Sequence, residues 1–497
     1  MRLNLRLLSR PLGILPEFNS VGRILCRWLP PVLVLGLIVV LLIDDISHLN
    51  FDEIGGDATQ NLYSALNLSH YGIYSEQIPA IDVQPGFRRE PVPNFILAAY
   101  LKILAAWMPS FVVDGFLDVP ELIYAIKAIN LFYSAGIMLM IWALNRFLFR
   151  PFILSDAISL PLIWCCHRYF IADEIDGLNT ELCVSLCLLI LTFLFLKSYQ
   201  THVLSWIAVA GLGLGLLALT KTVGAYLALM IIPLLSVFLA QRRRDILRVF
   251  TALSLGFLLT VSPWLLRNQI IFGKPVIAQG GGDVLLIRSV FNTMTPLEYK
   301  GAFYVYSPEV LQSWFASSLY PFSENDLKCG GLLERLNRKP PCDQIALKEK
   351  RYADVRSFYQ YGKRALPRLL GLSRQERQSE AVRRIASMPL SHVSVSVPLG
   401  WRGFWTFTDR GWLSTVINAC AFSSLLIAPM IAIVQRRLVW LIVCIVPAMY
   451  FLFHASLTHF LPRYSEPLIP LALITLGMIV VDSISYWLPG RHCYLRR

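Results

Sequence analysis

Charged side chains are scarce in this sequence. Asp, Glu, Lys and Arg make up only 15% of the 497 residues, while 56% are hydrophobic, against a charged share of about 25% in soluble domains. This balance excludes a disordered or fibrous chain and argues against a soluble enzyme. The sequence also lacks an internal repeat, a low-complexity tract, a CxxC pair and any His/Cys cluster with zinc-ligand spacing. We therefore expect no repeat architecture and no metal requirement.

Apolar runs recur along the whole chain, and they are long enough to cross a bilayer, at about 17 to 25 residues each. They predict an all-α polytopic membrane protein with about ten transmembrane helices. The runs lie near 29–43, 122–149, 152–170, 180–196, 203–220, 223–240, 246–266, 412–434, 438–456 and 467–488. An eleventh run, 91–108, contains Lys102 and is predicted to lie flat on the outer surface as an interfacial helix.

Short basic clusters predict the orientation of the chain. The formal charge of +13 would suit nucleic acid, but short clusters between apolar runs mark the cytoplasmic side of a membrane. With 91–108 outside, the N-terminal tail and every later short cluster fall inside, and the first run is an anchor and not a cleaved signal. The predicted parts are an N-terminal transmembrane catalytic module, 1–267, with an external loop, 44–121; a large, mainly helical external loop, 268–411; and C-terminal transmembrane helices, 412–497.

The large external loop is basic, with twenty Lys or Arg against twelve Asp or Glu. Long loops escape the orientation rule, so this excess suits lipid headgroups or an anionic acceptor, or else it is a solvated helical face. Cys329 and Cys342 share this loop. Their spacing leaves open whether they form a disulfide.

The first external loop contains the clearest candidate for chemistry. Asp57 follows two glycines and heads a segment whose apolar residues recur at helical spacing, so the helix dipole would favour its ionised form. A carboxylate held at the outer face is a natural general base. The competing interpretation is a helix N-cap with no catalytic role, since Asp is a preferred N-cap residue.

Several ordered segments resemble one family. Asp57 is followed by Asn61, Ala65, Asn67-Leu68 and Gly72-x-Tyr74-Ser75, and the further segments are 88–104, 178–186, 211–229, 262–276 and 461–474. Together they resemble the polyprenyl-phosphate-sugar glycosyltransferases of the GT-C fold, which include the dolichyl-phosphate-mannose protein mannosyltransferases and the lipid A aminoarabinose transferases. The sequence departs from the family at Asn61, where a tyrosine is usual.

The resemblance implies a GT-C fold and a membrane glycosyltransferase of the bacterial inner membrane, with its site on the periplasmic side; the endoplasmic reticulum is the alternative. Such an enzyme transfers a hexose or pentose from a polyprenyl-phosphate donor, with inversion, to a hydroxyl of a glycan, lipid or protein, for example in lipopolysaccharide or cell-envelope glycan synthesis. It needs no cofactor beyond the lipid-linked donor and binds no nucleic acid.

The resemblance also implies roles for individual residues. Asp57 would be the base, and Glu181 would orient the acceptor or the sugar. The donor phosphate would meet cations, namely Lys221, Arg88, Arg89 and Arg463. Accessory roles fall to Asp52 and Glu53 as the fallback acid pair, and to Glu90, Arg267 and His459. The rival functions are a transporter or flippase of lipid-linked saccharides, a pyrophosphate-donor polymerase or ligase, and a non-catalytic subunit.

Overall fold

The structure is a computed structural model that describes residues 20–50, 54–80, 82–107, 120–318, 322–408 and 410–487. Every regular element within these ranges is helical. The α-helices, in chain order, are α1 (Ser20–His48), α2 (Asp57–Tyr71), α3 (Pro91–Trp107), α4 (Pro120–Lys127), α5 (Ile129–Leu148), α6 (Phe152–Cys166), α7 (Ala172–Glu174), α8 (Glu181–Thr201), α9 (Leu204–Thr220), α10 (Val223–Leu239), α11 (Ile246–Phe272), α12 (Gly281–Val290), α13 (Pro296–Val305), α14 (Glu309–Ser318), α15 (Pro341–Lys348), α16 (Phe358–Gln360), α17 (Leu366–Leu369), α18 (Glu376–Ser387), α19 (Pro389–Phe404), α20 (Trp412–Val434), α21 (Leu438–Leu457) and α22 (Ile469–Trp487).

Seven helical segments of the described chain are long and apolar enough to cross a membrane. They are Trp28–His48, Leu122–Leu148, Glu181–Thr201, Arg243–Phe272, Trp412–Val434, Leu438–Leu457 and Pro462–Ile484. These segments coincide with seven of the ten predicted spans and confirm an all-α polytopic architecture. The other three predictions match shorter helices, since α9 and α10 have 17 residues each and α6 has 15.

One predicted span departs from a regular α-helix, and the predicted interfacial helix packs against its neighbours. The predicted span 152–170 ends as an α-helix at Cys166, and a π-helical turn, His167–Ile171, continues it. Helix α3 buries Leu97, Ala98 and Leu101 against its neighbours, leaves Lys102 exposed, and packs on α2. Its predicted interfacial position stays a prediction.

Glycines allow α9 and α11 to pack closely against each other. A Cβ atom on Gly211 would collide with the backbone of Leu253, and one on Gly256 would collide with the backbone of Ala208. Small residues at such crossings let membrane helices approach each other. This contact fixes the position of α9, and with it the residue that follows its C-terminal end, Lys221.

Buried polar contacts tie the helix ends together at one end of the bundle. Asp45 of α1 accepts a hydrogen bond from Ser134 at 2.5 Å and is 2.9 Å from Nε2 of His167. Lys127 is also buried, and its Nζ lies 3.0 Å from Asp176. Charges this deep require partners, so these contacts connect α1 with α5 and α4 with the segment before α8.

The predicted large loop contains α12 to α19, and α19 packs on α21. Cys329 and Cys342 form a disulfide, with their Cα atoms 6.0 Å apart; the question that the sequence left open is answered.

Arg288 is fully buried and donates to Asn292 and to the carbonyl of His392, both at 2.7 Å. Burial lowers the pKa of Arg288 to about 9.

Candidate active site

Candidate residues from distant parts of the chain meet at the same end of the helical bundle. Glu181 begins α8, and Lys221 follows the end of α9, the neighbouring antiparallel helix. Asp57 begins α2, whereas Arg463 lies in a short 3-10 turn that precedes α22. The gathering of charges at one end, which the sequence predicted, is therefore present.

Asp57 is the first residue of α2, and Gly56 takes the N-cap position with a positive φ of 62°. No side-chain cap bond forms at this helix start, so the N-cap interpretation of Asp57 is wrong. The carboxylate is half exposed and pairs with Arg89 through one oxygen and with Arg463, at 3.5 Å, through the other. Burial alone would raise the pKa of Asp57, but Arg89, Arg463 and Lys221 bring it below its usual range.

Arg89 is held in place by the first external loop. Its Nε donates to Gln60 at 3.0 Å, and its backbone N–H donates to Glu76 at 3.0 Å. The backbone N–H of Arg88 donates to the same carboxylate oxygen at 2.5 Å, but the Arg88 side chain is exposed and forms no ion pair with a described residue. The structure therefore places Arg89, and not Arg88, against Asp57. Glu76 was missed at the level of sequence, because only the fold reveals that it fixes this turn.

Lys221 forms a second charged group beside the first. Its Nζ lies 3.0 Å from the hydroxyl of Thr180 and 3.7 Å from the carboxylate of Glu181, which is buried. Burial would lower the pKa of Lys221, but Glu181 and Glu90 outweigh this effect and raise it. Glu90 also accepts hydrogen bonds from the backbone and the hydroxyl of Thr222, at 3.2 and 3.0 Å. The ammonium group thus stays charged next to the α9–α10 turn.

Glu174 is a further acid at the site that sequence reasoning missed. Its neighbours, Asp173 and Asp176, are engaged elsewhere, with Arg410 and Lys127. Burial, together with the carboxylate of Glu181, raises the pKa of Glu174 to about 7. The sequence carried no signal that would separate Glu174 from these two acids, because the distinction depends on which charged groups surround each carboxylate in the fold.

Two accessory candidates occupy positions next to the site. Arg267 donates to the carbonyls of Gly86, at 2.8 Å, and Tyr74, at 3.3 Å, and its guanidinium lies 4.6 Å from the ring of Trp264. It therefore ties the first external loop to the end of α11 and does not contact Asp57.

The second accessory candidate, His459, is buried and also makes no contact with Asp57. Burial and the neighbouring cations, Arg402 first among them, lower the pKa of His459 well below its usual value. The ring is therefore uncharged at neutral pH. Asp52 and Glu53, the predicted fallback acids, lie outside the described residues.

A metal site can be tested against the donor atoms that the described residues bring together. Cys329, Glu334 and Cys342 are the group whose ligand atoms lie close enough for one ion. The two sulfurs are joined to each other, and a disulfide offers no thiolate to a metal. The expectation that the reaction needs no metal stays a prediction.

Comparisons with known proteins give a likeness of structure only. No family model and no curated protein matches the chain. An archaeal oligosaccharyltransferase, AglB from Archaeoglobus fulgidus, solved with an inhibitory peptide and a dolichol-phosphate, is 11% identical with a TM-score of 0.45; the alignment covers 94% of this chain and 53% of that one. This chain thus spans about half the length of the archaeal enzyme.

A second similar structure is ArnT from Cupriavidus metallidurans, solved with bound undecaprenyl phosphate. It is 14% identical with a TM-score of 0.35, and the alignment covers 95% of this chain and 82% of that one. Because both TM-scores lie below 0.5, the function has to be argued from the residues of the site.

Proposed function

We propose that this chain is an integral-membrane inverting glycosyltransferase that moves a sugar from a polyprenyl-phosphate donor to an acceptor hydroxyl. One observation carries the proposal: the carboxylate of Asp57 pairs with two guanidinium groups, those of Arg89 and Arg463, and the charge of Lys221 acts on the same carboxylate. A base next to several cations, at the end of a membrane bundle, suits the transfer of a group away from a lipid phosphate.

The reaction is a single displacement at the anomeric carbon of the donor sugar. The acceptor oxygen forms a bond to this carbon while the bond to the phosphate oxygen breaks, and the lipid phosphate leaves with the electron pair. Asp57 takes the proton of the hydroxyl. Arg89 and Arg463 offer paired donors to the departing phosphate, and Lys221 offers a point charge. Glu181, 3.7 Å from Lys221, would orient the sugar or the acceptor.

The ion pairs of Asp57 suggest how donor binding prepares the site. A phosphate group competes with the carboxylate for the guanidinium groups of Arg89 and Arg463. As these groups turn to the phosphate, Asp57 loses its partners and becomes available to the hydroxyl. Before the donor binds, the lowered pKa of Asp57 keeps the carboxylate ionised at neutral pH. Once the guanidinium groups have turned to the phosphate, the unpaired carboxylate is a stronger base.

The proposed setting is a multi-pass protein of the bacterial inner membrane, with the site on the periplasmic side and a hexose or pentose as the transferred sugar. The acceptor is a glycan, lipid or protein hydroxyl. A transporter would instead place its ionisable residues near the middle of interrupted helices, whereas Asp57, Glu181 and Lys221 lie at helix ends.

The test is transfer of labelled sugar in proteoliposomes from a mixed pool of polyprenyl-phosphate sugars, with a cell-envelope extract as acceptor. We expect Asp57→Asn to lower the rate by about 10²- to 10⁴-fold, as loss of a general base does, while donor binding is retained. Asp173→Asn is the matched control, because this exposed acid pairs with Arg410; it should transfer at the wild-type rate.

Two results would contradict the proposal. One is an Asp57→Asn chain that transfers as fast as wild type, with the loss appearing instead in Asp52→Asn. The other is a wild-type chain that uses no monophosphate donor, which would favour a pyrophosphate donor or a transporter.

A further inference from the structure

A cleft of about 280 Å³ lies in the large loop. Four cations line it: Lys363 and Arg364 from the π-helical turn that precedes α17, Arg368 from α17, and Arg377 from α18. The rest of its lining is uncharged, so no carboxylate of the described chain faces the cleft. A cavity with this lining is strongly electropositive.

Most of these cations have no anionic partner among the described residues. Lys363, Arg364 and Arg368 are exposed, and within the described ranges no carboxylate lies at ion-pair distance from them. Arg377 pairs with Asp283 at 2.6 Å. Arg364 and Arg368 are four residues apart along one helical segment, where like charges repel each other. A protein that keeps such a group together without acids gains from it when an anion binds.

Three acids of the surrounding segments pair with cations outside the cleft. Glu349 and Asp354 both pair with Arg351, outside the cleft. Glu380 pairs with Arg383 at 2.7 Å and with Arg384 at 2.9 Å. The cationic lining of the cleft is therefore not due to a shortage of acids in this part of the chain, but to where they lie.

Contacts connect the cleft with residues behind it. Lys363, at the wall of the cleft, donates from Nζ to the hydroxyl of Tyr359 at 2.9 Å, and Arg338 lies 4.6 Å from the same ring. The Tyr359 ring is 5.3 Å from that of His459. Burial would raise the pKa of Tyr359, but Lys363 and Arg338 lower it, which indicates a positive field around the Tyr359 ring.

Further ring and ion-pair contacts lead from His459 to the proposed base. The ring of His459 lies 5.8 Å from that of Tyr464, and the guanidinium of the preceding residue, Arg463, lies 5.6 Å from the Tyr464 ring. Arg463 pairs with Asp57 at 3.5 Å. The cleft and the proposed base thus lie at the two ends of one continuous row of cations and aromatic rings.

We infer that this cleft binds a phosphate-class anionic group carried by the acceptor, and so positions the acceptor with its hydroxyl toward Asp57. The inference deepens the proposed function and rests on it for the identity of the acceptor. It separates two anion sites, one for the leaving phosphate of the donor at Arg89, Arg463 and Lys221, and one for the acceptor in the large loop.

The chemistry of the cleft fits this class of ligand. Guanidinium groups bind phosphate oxygens through paired hydrogen bonds, and an ammonium group adds a point charge. Leu347, Tyr352 and Pro367 supply apolar surface beside the cations. Such a lining suits a sugar or lipid portion next to the anionic group.

The test measures binding of inorganic phosphate to the full chain by calorimetry, in nanodiscs of phosphatidylcholine. The variant is Arg364→Gln/Arg368→Gln, in which both side chains are exposed, so that folding is preserved. The control is Lys300→Gln/Arg374→Gln, two exposed cations of the same loop outside the cleft. We expect phosphate binding to weaken by about tenfold or more in the variant, and to be unchanged in the control.

Phosphate that binds near Lys221 is common to all of these chains, so the difference between them reports on the cleft. Equal binding by wild type and by Arg364→Gln/Arg368→Gln would overturn the inference. A second arm uses nanodiscs of equal parts phosphatidylcholine and phosphatidylglycerol. Unchanged affinity there supports an acceptor group, whereas competition by the anionic lipid would assign the cleft to headgroups and overturn the acceptor assignment.

The calorimetry uses neither donor nor acceptor, so its result is independent of the transfer assay. A chain that binds phosphate in the cleft but transfers no sugar would contradict the proposed function and still support an anion site. A chain that transfers sugar but shows no effect of the cleft substitutions would contradict only this inference.

Discussion

Two carboxyl groups of the site have pKa values that are shifted in opposite directions. At Asp57 burial is outweighed by Arg89, Arg463 and Lys221, so the pKa falls, whereas at Glu174 burial and the Glu181 carboxylate raise it to about 7. An acid with lowered pKa stays ionised, and one with raised pKa holds its proton near neutral pH. Opposed shifts of this kind are a mark of functional sites.

The raised pKa of Glu174 predicts a pH-dependent effect on stability. The folded chain binds this proton more tightly than the unfolded chain, so the contribution of Glu174 to stability is present below the ordinary value of 4.5 and is lost as pH rises to about 7. We expect Glu174→Gln to raise the thermal unfolding midpoint relative to wild type at pH 8, and to change it little at pH 4. Differential scanning fluorimetry in detergent measures both.

Asp173→Asn is the control for this prediction, since the neighbouring acid is exposed and paired with Arg410. It should show no gain at pH 8. A Glu174→Gln chain that gains as much at pH 4 as at pH 8 would contradict the pKa argument, because a packing effect does not depend on the proton.

The sequence predicted part of this residue-level picture. Asp57, Glu181 and Lys221 were predicted as site residues because each lies at the end of a predicted helix and matches a family motif. Glu174 and Glu76 were missed, because their importance depends on burial and on a backbone turn that spacing along the chain does not reveal. The sequence assigned donor phosphate binding to Arg88 and Arg89 alike, because only the fold reveals that Arg89 is the one that faces Asp57.

At the scale of elements, the contact between α9 and α11 controls where Lys221 lies. Gly256 is part of this contact, and a Cβ atom there would collide with the backbone of α9. We expect Gly256→Ala to lower stability by about 1 to 3 kcal/mol, the usual cost of overpacking, and to reduce sugar transfer because α9 has to shift. The unfolding midpoint and the transfer assay measure the two effects.

Gly36→Ala is the matched control, because Gly36 lies in the exposed apolar part of α1, where a Cβ atom added to it would have no neighbour within 4 Å among the described residues. It should leave both readouts unchanged. A Gly256→Ala chain as stable as Gly36→Ala would mean that the two helices do not touch at this crossing.

Hydrophobic length predicted most of the membrane helices, since seven of the ten expected spans are long apolar helices in the described chain. The helix boundaries within the apolar runs were harder to predict from the sequence. The run 152–170 gives no sequence signal for the π-helical turn at His167–Ile171. His167, the first residue of this turn, contacts the buried Asp45, which lies 122 residues away in sequence.

For the whole molecule, the disulfide of the large loop connects structure with orientation. Disulfides persist in oxidising compartments and are rare in the cytosol, so the Cys329–Cys342 bond supports the external position predicted for 268–411. The sequence separation is 13 residues, and closing a loop of about this length contributes on the order of 3 kcal/mol.

We expect both cysteines of the loop to resist alkylation in the denatured, unreduced chain, and to gain two labels by mass spectrometry once a reductant is added. Cys329→Ser should lower the unfolding midpoint of the chain by removing this constraint. Cys420→Ser, which removes an exposed free thiol, is the control and should have no such effect. Two labels on Cys329 and Cys342 without reductant would contradict the bond and remove its support for the orientation.

The two ion pairs of Asp57 have a consequence for the kinetics of the proposed reaction. A hydroxyl that reaches the site ahead of the donor finds the carboxylate occupied by Arg89 and Arg463, and only a phosphate can draw these guanidinium groups away. The donor should therefore be required before the acceptor hydroxyl can lose its proton, whichever substrate binds first. An acceptor that binds without the donor would keep its proton. The cycle would begin only when the membrane supplies the lipid phosphate that carries the sugar.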